Sequence, residues 1–158
     1  MEMNTAMKEV WAFQEDNQVK LDMDVMLNVL YPEFVLWDGC ILLNISNSLS
    51  MDGEQFIPSN TIEDRTQLEA FTNHIHLIDF FPEFEDIPNK SLQFGVSVIE
   101  IWEQRLKKQY PMEKFQLVVS YDEFGCTLRF YTLRKNEEVW LDTADLEKYS
   151  EALLVKEI

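Results

Sequence analysis

The stretch HIHLID, residues 74–79, contains the residue types that most often bind a transition metal. In a β-strand, His74 and His76 would lie on the same side of the chain, where one ion could contact both imidazoles. In an α-helix the two side chains would diverge by about 200°, and only Asp79 would follow His76 at a favourable spacing. The secondary structure of this stretch therefore decides whether a metal site is possible.

The residues before this stretch favour a helix. Thr66 and Glu69 have the spacing of a capping box, in which a hydroxyl and a carboxylate bond to free backbone N–H groups. Apolar residues then recur at helical spacing, at Leu68, Phe71, Ile75 and Ile78. The sequence accordingly predicts a helix through the two histidines, and no metal site.

Other catalytic patterns are absent from the sequence. The glycines suit turns, and no dinucleotide fingerprint, P-loop or nucleophile elbow is present. Cys40 and Cys126 lie in apolar, strand-like runs, which predicts two buried free thiols in a reducing compartment. A chain with 29 acidic residues always offers some carboxylate pair, so no general acid or base can be chosen. We therefore expect a protein that is not an enzyme and has no cofactor.

The distribution of charge is the strongest feature of the sequence. The formal net charge is −16, and residues 1–88 hold 17 acidic residues against only three basic ones, Lys8, Lys20 and Arg65. Such a field repels nucleic acids and anionic membranes and attracts basic protein surfaces. Solubility alone is the alternative explanation of this excess.

Length and composition predict one domain covering residues 1–158, with a possible seam near residues 82–90 where the charge balance changes. The chain is 46% hydrophobic, and no apolar run approaches the roughly 20 residues that span a bilayer. The first residues lack the basic and apolar regions of a signal peptide. We therefore expect a cytoplasmic protein.

Turn and helix signals predict an α+β fold, with an antiparallel sheet of about five to seven strands and helices packed on one face. Asp38-Gly39 predicts a hairpin with strands at 33–37 and 40–46, and Asp52-Gly53 predicts a second hairpin. Helices are expected at 22–31, at 91–110 with Trp102 on its apolar stripe, and at the C-terminal DTADLEKYSEALL. Two long strands, KFQLVVSY and CTLRFYTLR, and a short strand VWL complete the prediction, while residues 1–17 suit either helix or strand.

One stretch resembles a known class of proteins. The run WEQRLKKQYPMEKFQLVVSYDEFGCTLRFYTLR, residues 102–134, joins a Trp-bearing helix to a hairpin through Tyr-Pro. In this arrangement it is similar to segments of the immunity proteins of bacterial polymorphic and contact-dependent toxin systems. The resemblance implies a protein that binds a cognate toxin domain, often a basic nuclease, and blocks its active site; it assigns no role to an individual residue.

The predicted binding surface lies in the acidic first half of the chain. Phenylalanines alternate with carboxylates in DFFPEFED, and aromatic anchors inside a charged rim are typical of protein interfaces. The predicted contact residues are Asp52, Glu54, Asp79, Phe80, Phe81, Glu83, Phe84, Glu85 and Asp86. The expected partner is a basic protein, with no nucleic acid and no membrane. A phage-type nucleic-acid mimic is the second hypothesis, and a small enzyme with a carboxylate site is the third.

Overall fold

The computed structural model describes residues 1–12, 18–51 and 53–158. Its helices and strands are, in chain order, β1 (Glu2–Met3), α1 (Thr5–Ala12), α2 (Met23–Leu30), β2 (Glu33–Trp37), β3 (Cys40–Asn44), α3 (Arg65–Thr72), β4 (His74–His76), α4 (Leu77–Phe80), a 3₁₀ turn (Pro82–Phe84), α5 (Pro88–Gln109), β5 (Phe115–Asp122), β6 (Gly125–Thr132), a 3₁₀ segment (Thr143–Lys148) and β7 (Ala152–Glu157).

The strands form two antiparallel sheets. The larger has the order β1-β7-β5-β6-β4, and the smaller is the hairpin of β2 and β3. The chain thus forms a single α+β domain, as the sequence predicts. The central β5–β6 hairpin pairs Val119 with Leu128, and its turn is the predicted segment 122–125.

Helix α5 covers one face of the larger sheet, because its apolar stripe points at that face. Trp102 is fully buried, and its ring meets the rings of Phe34 and Phe130 edge-on at centroid distances of 6.3 and 6.0 Å. Its indole N–H donates to the Val29 carbonyl at 2.9 Å, which fixes α2 against α5. The predicted core role of Trp102 is confirmed, and a smaller apolar cluster around Tyr131 lies on the opposite face.

The Asp38-Gly39 hairpin is also confirmed. Both turn residues have positive φ angles, 42° and 76°, as a tight two-residue hairpin turn requires. The Arg65 guanidinium donates to the Asp38 carbonyl and to its carboxylate, both at 2.7 Å. The turn is thus fixed to the beginning of α3.

Side chains of α3 and of Asn73, the residue directly after it, occupy the free edge of β3. The Asn73 carboxamide accepts from Leu43 N–H at 2.7 Å and donates to the Ile41 carbonyl at 2.8 Å. One turn earlier, the Glu69 carboxylate accepts from Ile41 N–H at 2.7 Å. The two polar side chains thus replace a neighbouring strand, and they satisfy backbone groups that would otherwise be buried without partners.

The same carboxylate links the hairpin to the larger sheet. Glu69 accepts from the N–H and the hydroxyl of Thr132 on β6, and it pairs with Arg134 at 2.6 Å. Arg134 also donates to the Gly39 carbonyl at 2.9 Å. Glu69 is fully buried, so this network joins the hairpin, α3 and β6 away from water.

The helix predicted through residue 78 is wrong. Asp64, not Thr66, caps α3, with its carboxylate accepting from Gln67 N–H at 2.7 Å. The helix ends at Thr72, because Asn73 is used at the β3 edge, and His74–His76 then pairs with β6 as a short edge strand. Glu69 takes no part in a capping box.

Three further local predictions are wrong within the described residues. No strand lies between Asn44 and Arg65, so the second hairpin is absent, and Asp52 itself lies outside the described residues. The VWL segment is not a strand. The C-terminal helix is replaced by the 3₁₀ segment and β7, which pairs with both β5 and β1. Of residues 1–17, the described part contains both a short strand and a helix.

Glu69→Gln should destabilise the protein by about 3–5 kcal/mol, because it removes the closer counter-charge of the partly buried Arg134 guanidinium, which then keeps only Glu137 at 3.9 Å. Urea unfolding of Glu69→Gln, Arg134→Gln and the double variant measures the coupling between the two side chains. Lys148→Gln, which removes an exposed ion pair, is the control and should leave the unfolding free energy almost unchanged. A Glu69→Gln variant as stable as this control would contradict the role assigned to the network.

Candidate functional site

An open cavity of about 400 Å³ lies between the β2–β3 hairpin and α3. Its lining includes the aromatic rings of Trp37 and Phe56, the aliphatic side chain of Ile57, and Leu68 and Thr72 on α3. Ile57 is 82% exposed and lines the same cavity as Trp37 and Phe56, so it belongs to a group of apolar side chains and is not an isolated exposed one. This end of the surface is therefore apolar and accessible.

Hydrogen bonds hold the loop that forms this cavity. The Trp37 indole N–H donates to the Gly53 carbonyl at 3.3 Å, and Phe56 N–H donates to the Asp38 carboxylate at 2.9 Å. The Arg65 guanidinium lies 5.6 Å from the centre of the Phe56 ring. The Phe56 N–H and the Arg65 guanidinium lower the pKa of Asp38 below its ordinary value. The cavity wall is thus built on the hairpin turn.

A second cavity, of about 270 Å³, adjoins the first at Thr72, which lines both. Its lining includes His74 and His76 on β4, and Asp79 and Phe80 on α4. We call the two adjoining cavities together the acidic groove, after the exposed carboxylates around it; among the described residues that line the cavities, Asp79 is the one acid. Glu54 lies at the other end, between Gly53 and Gln55 in the loop that lines the first cavity.

The two histidines lie on the same side of β4, with ring centroids 5.3 Å apart. His74 Nδ1 donates to the Phe71 carbonyl at 2.6 Å, and His76 Nδ1 lies 2.9 Å from the Thr127 hydroxyl. The strand thus provides the convergence that a helix would have prevented. Within residues 1–12, 18–51 and 53–158, however, no three His, Cys, Asp or Glu side chains are grouped as a metal site requires.

Two of the predicted aromatic contacts are core residues, and this part of the interface prediction is wrong. Phe81 and Phe84 are almost fully buried, with ring centroids 5.1 and 5.9 Å from that of Phe94 on α5. Burial of a phenylalanine side chain contributes about 1.5–3 kcal/mol, so these rings anchor the loop to α5. Phe80 is half-buried and lines the groove.

The predicted acidic contacts have a different environment from the aromatic ones. The side chains of Glu54, Asp79, Glu83, Glu85 and Asp86 are exposed, and Asp52 lies outside the described residues. The structure therefore brings Asp79 and Phe80 together in the groove and places Glu54 at the loop of its first cavity. Glu83, Glu85 and Asp86 belong to the neighbouring segment, whose phenylalanines point inward.

The thiols offer no nucleophile for chemistry. Cys40 and Cys126 are free and buried, as predicted. Burial, followed by the charge of Glu69, raises the pKa of Cys40 to about 12, and burial raises that of Cys126 further. Both thiols therefore stay protonated at neutral pH, and the thiolate is the reactive form.

Sequence reasoning missed Ile57 as a surface residue. Its neighbours are Phe56 and Pro58, and an apolar pair before a proline is equally typical of a strand end or a loop. Trp37 and Phe56 carried a partial signal, because Trp37 directly precedes Asp38 and Phe56 lies two residues after Glu54. Only the position of the loop against α3 distinguishes the accessible side chain from the buried ones.

Comparison with known protein families assigns the chain to one of them. Residues 2–158 match the model of the Uncharacterized protein PM0498 family, and the chain belongs to this family. Neither the curated proteins nor the solved structures gave a match. Among the described residues, none of the helices combines the length and the apolar character needed to cross a membrane.

The pKa of His74 predicts a pH dependence of stability. Burial lowers this pKa below its ordinary value of 6.5, so the unfolded chain binds a proton more readily than the folded one. The contribution of His74 is therefore fully present above pH 6.5 and decreases as the pH falls through the folded pKa. We expect the difference in unfolding free energy between the native protein and His74→Gln to shrink from pH 7.5 to pH 5. Urea unfolding of both proteins at the two pH values measures this difference. A difference that is the same at pH 7.5 and at pH 5 would contradict this assignment.

Proposed function

We propose that this protein is a non-catalytic inhibitor that binds a basic protein domain through the acidic groove, in the manner of bacterial immunity proteins. The observation that carries the proposal is the exposed Ile57 beside Trp37 and Phe56, in a region with almost no free positive charge. Arg65 is the only basic residue between positions 21 and 88, and Asp38 neutralises it.

Each part of this surface has a distinct energetic role in the proposed complex. The unneutralised carboxylates create a negative field that accelerates encounter with a basic partner and favours the correct orientation. The apolar side chains of the first cavity supply contact area that loses water on binding, and such central contacts dominate interface energies. Carboxylates alone would give a fast but weak complex, because exposed ion pairs contribute little.

The burial of Phe81 and Phe84 moves the centre of the proposed interface. Sequence reasoning centred it on residues 79–86, but the apolar anchors available to a partner are Ile57, Trp37 and Phe56. Glu83, Glu85 and Asp86 then form part of the surrounding negative surface. In such a complex, the partner's Arg and Lys side chains would pair with these carboxylates while its active site is covered.

An exposed aliphatic anchor favours an immunity-type complex over nucleic-acid mimicry. A mimic presents carboxylates at the spacing of backbone phosphates and needs no apolar contact, since charge dominates such binding. The alternative would therefore leave the exposure of Ile57 unexplained.

Charge reversal tests the electrostatic part of the proposal. The proposal predicts a toxin gene immediately upstream of this one, and the test uses the toxin domain that the upstream gene encodes, produced in an inactive form. Glu83→Lys, Glu85→Lys and Asp86→Lys together should lower its association rate at least tenfold at 50 mM salt, and much less at 500 mM salt. Stopped-flow fluorescence measures both rates.

The matched control reverses three exposed carboxylates of the second half, Glu113, Glu123 and Glu138. It changes the net charge equally, so a general charge effect would appear in both variants. Equal rates for the two triple variants would locate the binding surface elsewhere. If the upstream gene product does not bind the native protein, the proposed function itself is refuted.

Ile57→Asp tests the apolar anchor. Loss of a central interface side chain should weaken binding by about 2 kcal/mol or more, with an unchanged melting temperature, because Ile57 is exposed in the free protein. Val139→Asp is the control, since Val139 is 50% exposed and does not line the groove. Calorimetric titration of both variants gives the affinities; equal losses would argue against the groove.

A further inference from the structure

A third cavity, of about 350 Å³, lies on the face of the larger sheet opposite α5. Its lining includes Val118 and Ser120 of β5, Arg129 of β6 and Leu153 of β7. The segment that crosses this face between β6 and β7 completes the lining with Trp140 and other residues. The size falls within the range of small-molecule sites.

Hydrogen bonds and ring contacts fix this crossing segment. The Tyr131 hydroxyl accepts from Leu141 N–H at 3.0 Å, and the Tyr131 ring meets the Trp140 ring edge-on at 6.2 Å. Further along, Asp142 N–H donates to the Tyr149 hydroxyl at 3.2 Å. The cavity is therefore formed before any ligand binds, which lowers the entropic cost of binding.

Arg129 is the one cationic side chain among the described residues that line this cavity. Its guanidinium carbon lies 4.0 Å from the centre of the Trp140 ring, and its Nη1 donates to the Ala70 carbonyl. Among the residues that the structure describes, it forms no ion pair, whereas Arg65 and Arg134 each pair with a carboxylate. Burial lowers the pKa of Arg129 to about 10, so it remains charged at neutral pH.

A guanidinium has five N–H donors in a planar fork that matches a carboxylate. Of these donors, the protein uses one in a hydrogen bond within its described part. Among the described residues no carboxylate forms an ion pair with the Arg129 guanidinium, and Glu151, which also lines the cavity, acts on it only through its charge. A partly buried charge without a direct partner is costly. An external anion bound in the cavity would accept from the free donors of Arg129 and offset the cost of its partly buried charge.

We propose that this cavity binds a small monocarboxylate with an apolar body. The carboxylate accepts from the free donors of Arg129, and the apolar body packs against Trp140 and Leu153. A free organic acid and the C-terminal carboxylate of a peptide share this chemistry, so both are candidate sources.

The lining favours a monoanion over a phosphate. One guanidinium faces the cavity and no lysine lines it, while the Glu151 side chain adds negative charge nearby. A phosphate dianion would meet more repulsion and fewer donors than a carboxylate. The aliphatic side chains of Val118, Leu141 and Leu153 also offer nothing to the polar face of a phosphate ester, but they suit an aromatic or branched aliphatic group.

This site is separate from the proposed protein-binding function. None of the residues that line the cavity lines the acidic groove. The test therefore uses the isolated full chain and needs no protein partner, so either proposal can fail without the other.

The experiment titrates ¹⁵N-labelled protein with 3-phenylpropionate, with acetyl-Leu-Phe, and with the primary amide of each. We expect saturable shifts of the Trp140 indole signal with at least one acid, and at least tenfold weaker binding of its amide. Inorganic phosphate should not saturate the site. Binding of only one acid identifies the source of the carboxylate.

Arg129→Gln should weaken binding of the acid at least tenfold. The matched control is Arg105→Gln, because Arg105 also donates to a backbone carbonyl, that of Pro32, and lies 5.3 Å from the centre of the Phe34 ring, away from the cavity. Absence of binding by both acids, equal binding of acid and amide, or equal losses in the two variants would overturn the proposal. If Arg129→Gln does not fold, the comparison of acid with amide on the native protein decides.

Discussion

The buried carboxylate of Glu69 is the constraint on which the arrangement of the protein depends. Within the described part of the chain, the β2–β3 hairpin pairs with no further strand, so one edge of β3 presents backbone groups to the interior. Glu69 and Asn73 bond to that edge, and Glu69 also bonds to Thr132 and Arg134. A carboxylate this deeply buried is tolerable only because each oxygen has donors. The position of α3 against the hairpin, and hence the first cavity of the acidic groove, follows from these bonds.

The two proposed sites use opposite charges on different parts of the domain. The acidic groove is formed by the β2–β3 hairpin, the loop after it, α3, β4 and α4, all from the first half of the chain, and Asp38 neutralises the Arg65 guanidinium beside its first cavity. The Arg129 cavity is built from β5, β6 and β7, all from the second half. The unequal charge of the two halves thus corresponds to a real spatial division, although the fold interleaves them in one core through residues such as Phe34 and Trp102.

Local signals in the sequence predicted the elements whose formation needs little help from distant residues. Helix α5 has a sustained apolar stripe, and the Asp38-Gly39 turn is specified by two residues. The missed elements depend on distant partners. Strand β4 has three residues and exists only because β6 offers an edge, and β7 pairs with β1 at the other end of the chain. When those partners are unknown, the residue patterns of both segments are equally compatible with a helix.

The sequence by itself determined the charge of the surface, the fold class, and the presence of buried free thiols, because composition and short-range periodicity specify these properties. Tertiary structure decided which apolar side chains are accessible. Phe81, Phe84 and Ile57 are similar in hydrophobic character and lie in similar loops, yet contact with Phe94 buries the first two, while Ile57 has no such cover. Likewise, the fold places Glu69 and Glu137 beside Arg134, whereas none of the described carboxylates forms an ion pair with Arg129. Exposure and pairing depend on neighbours from distant parts of the chain, and these are fixed only when the chain packs.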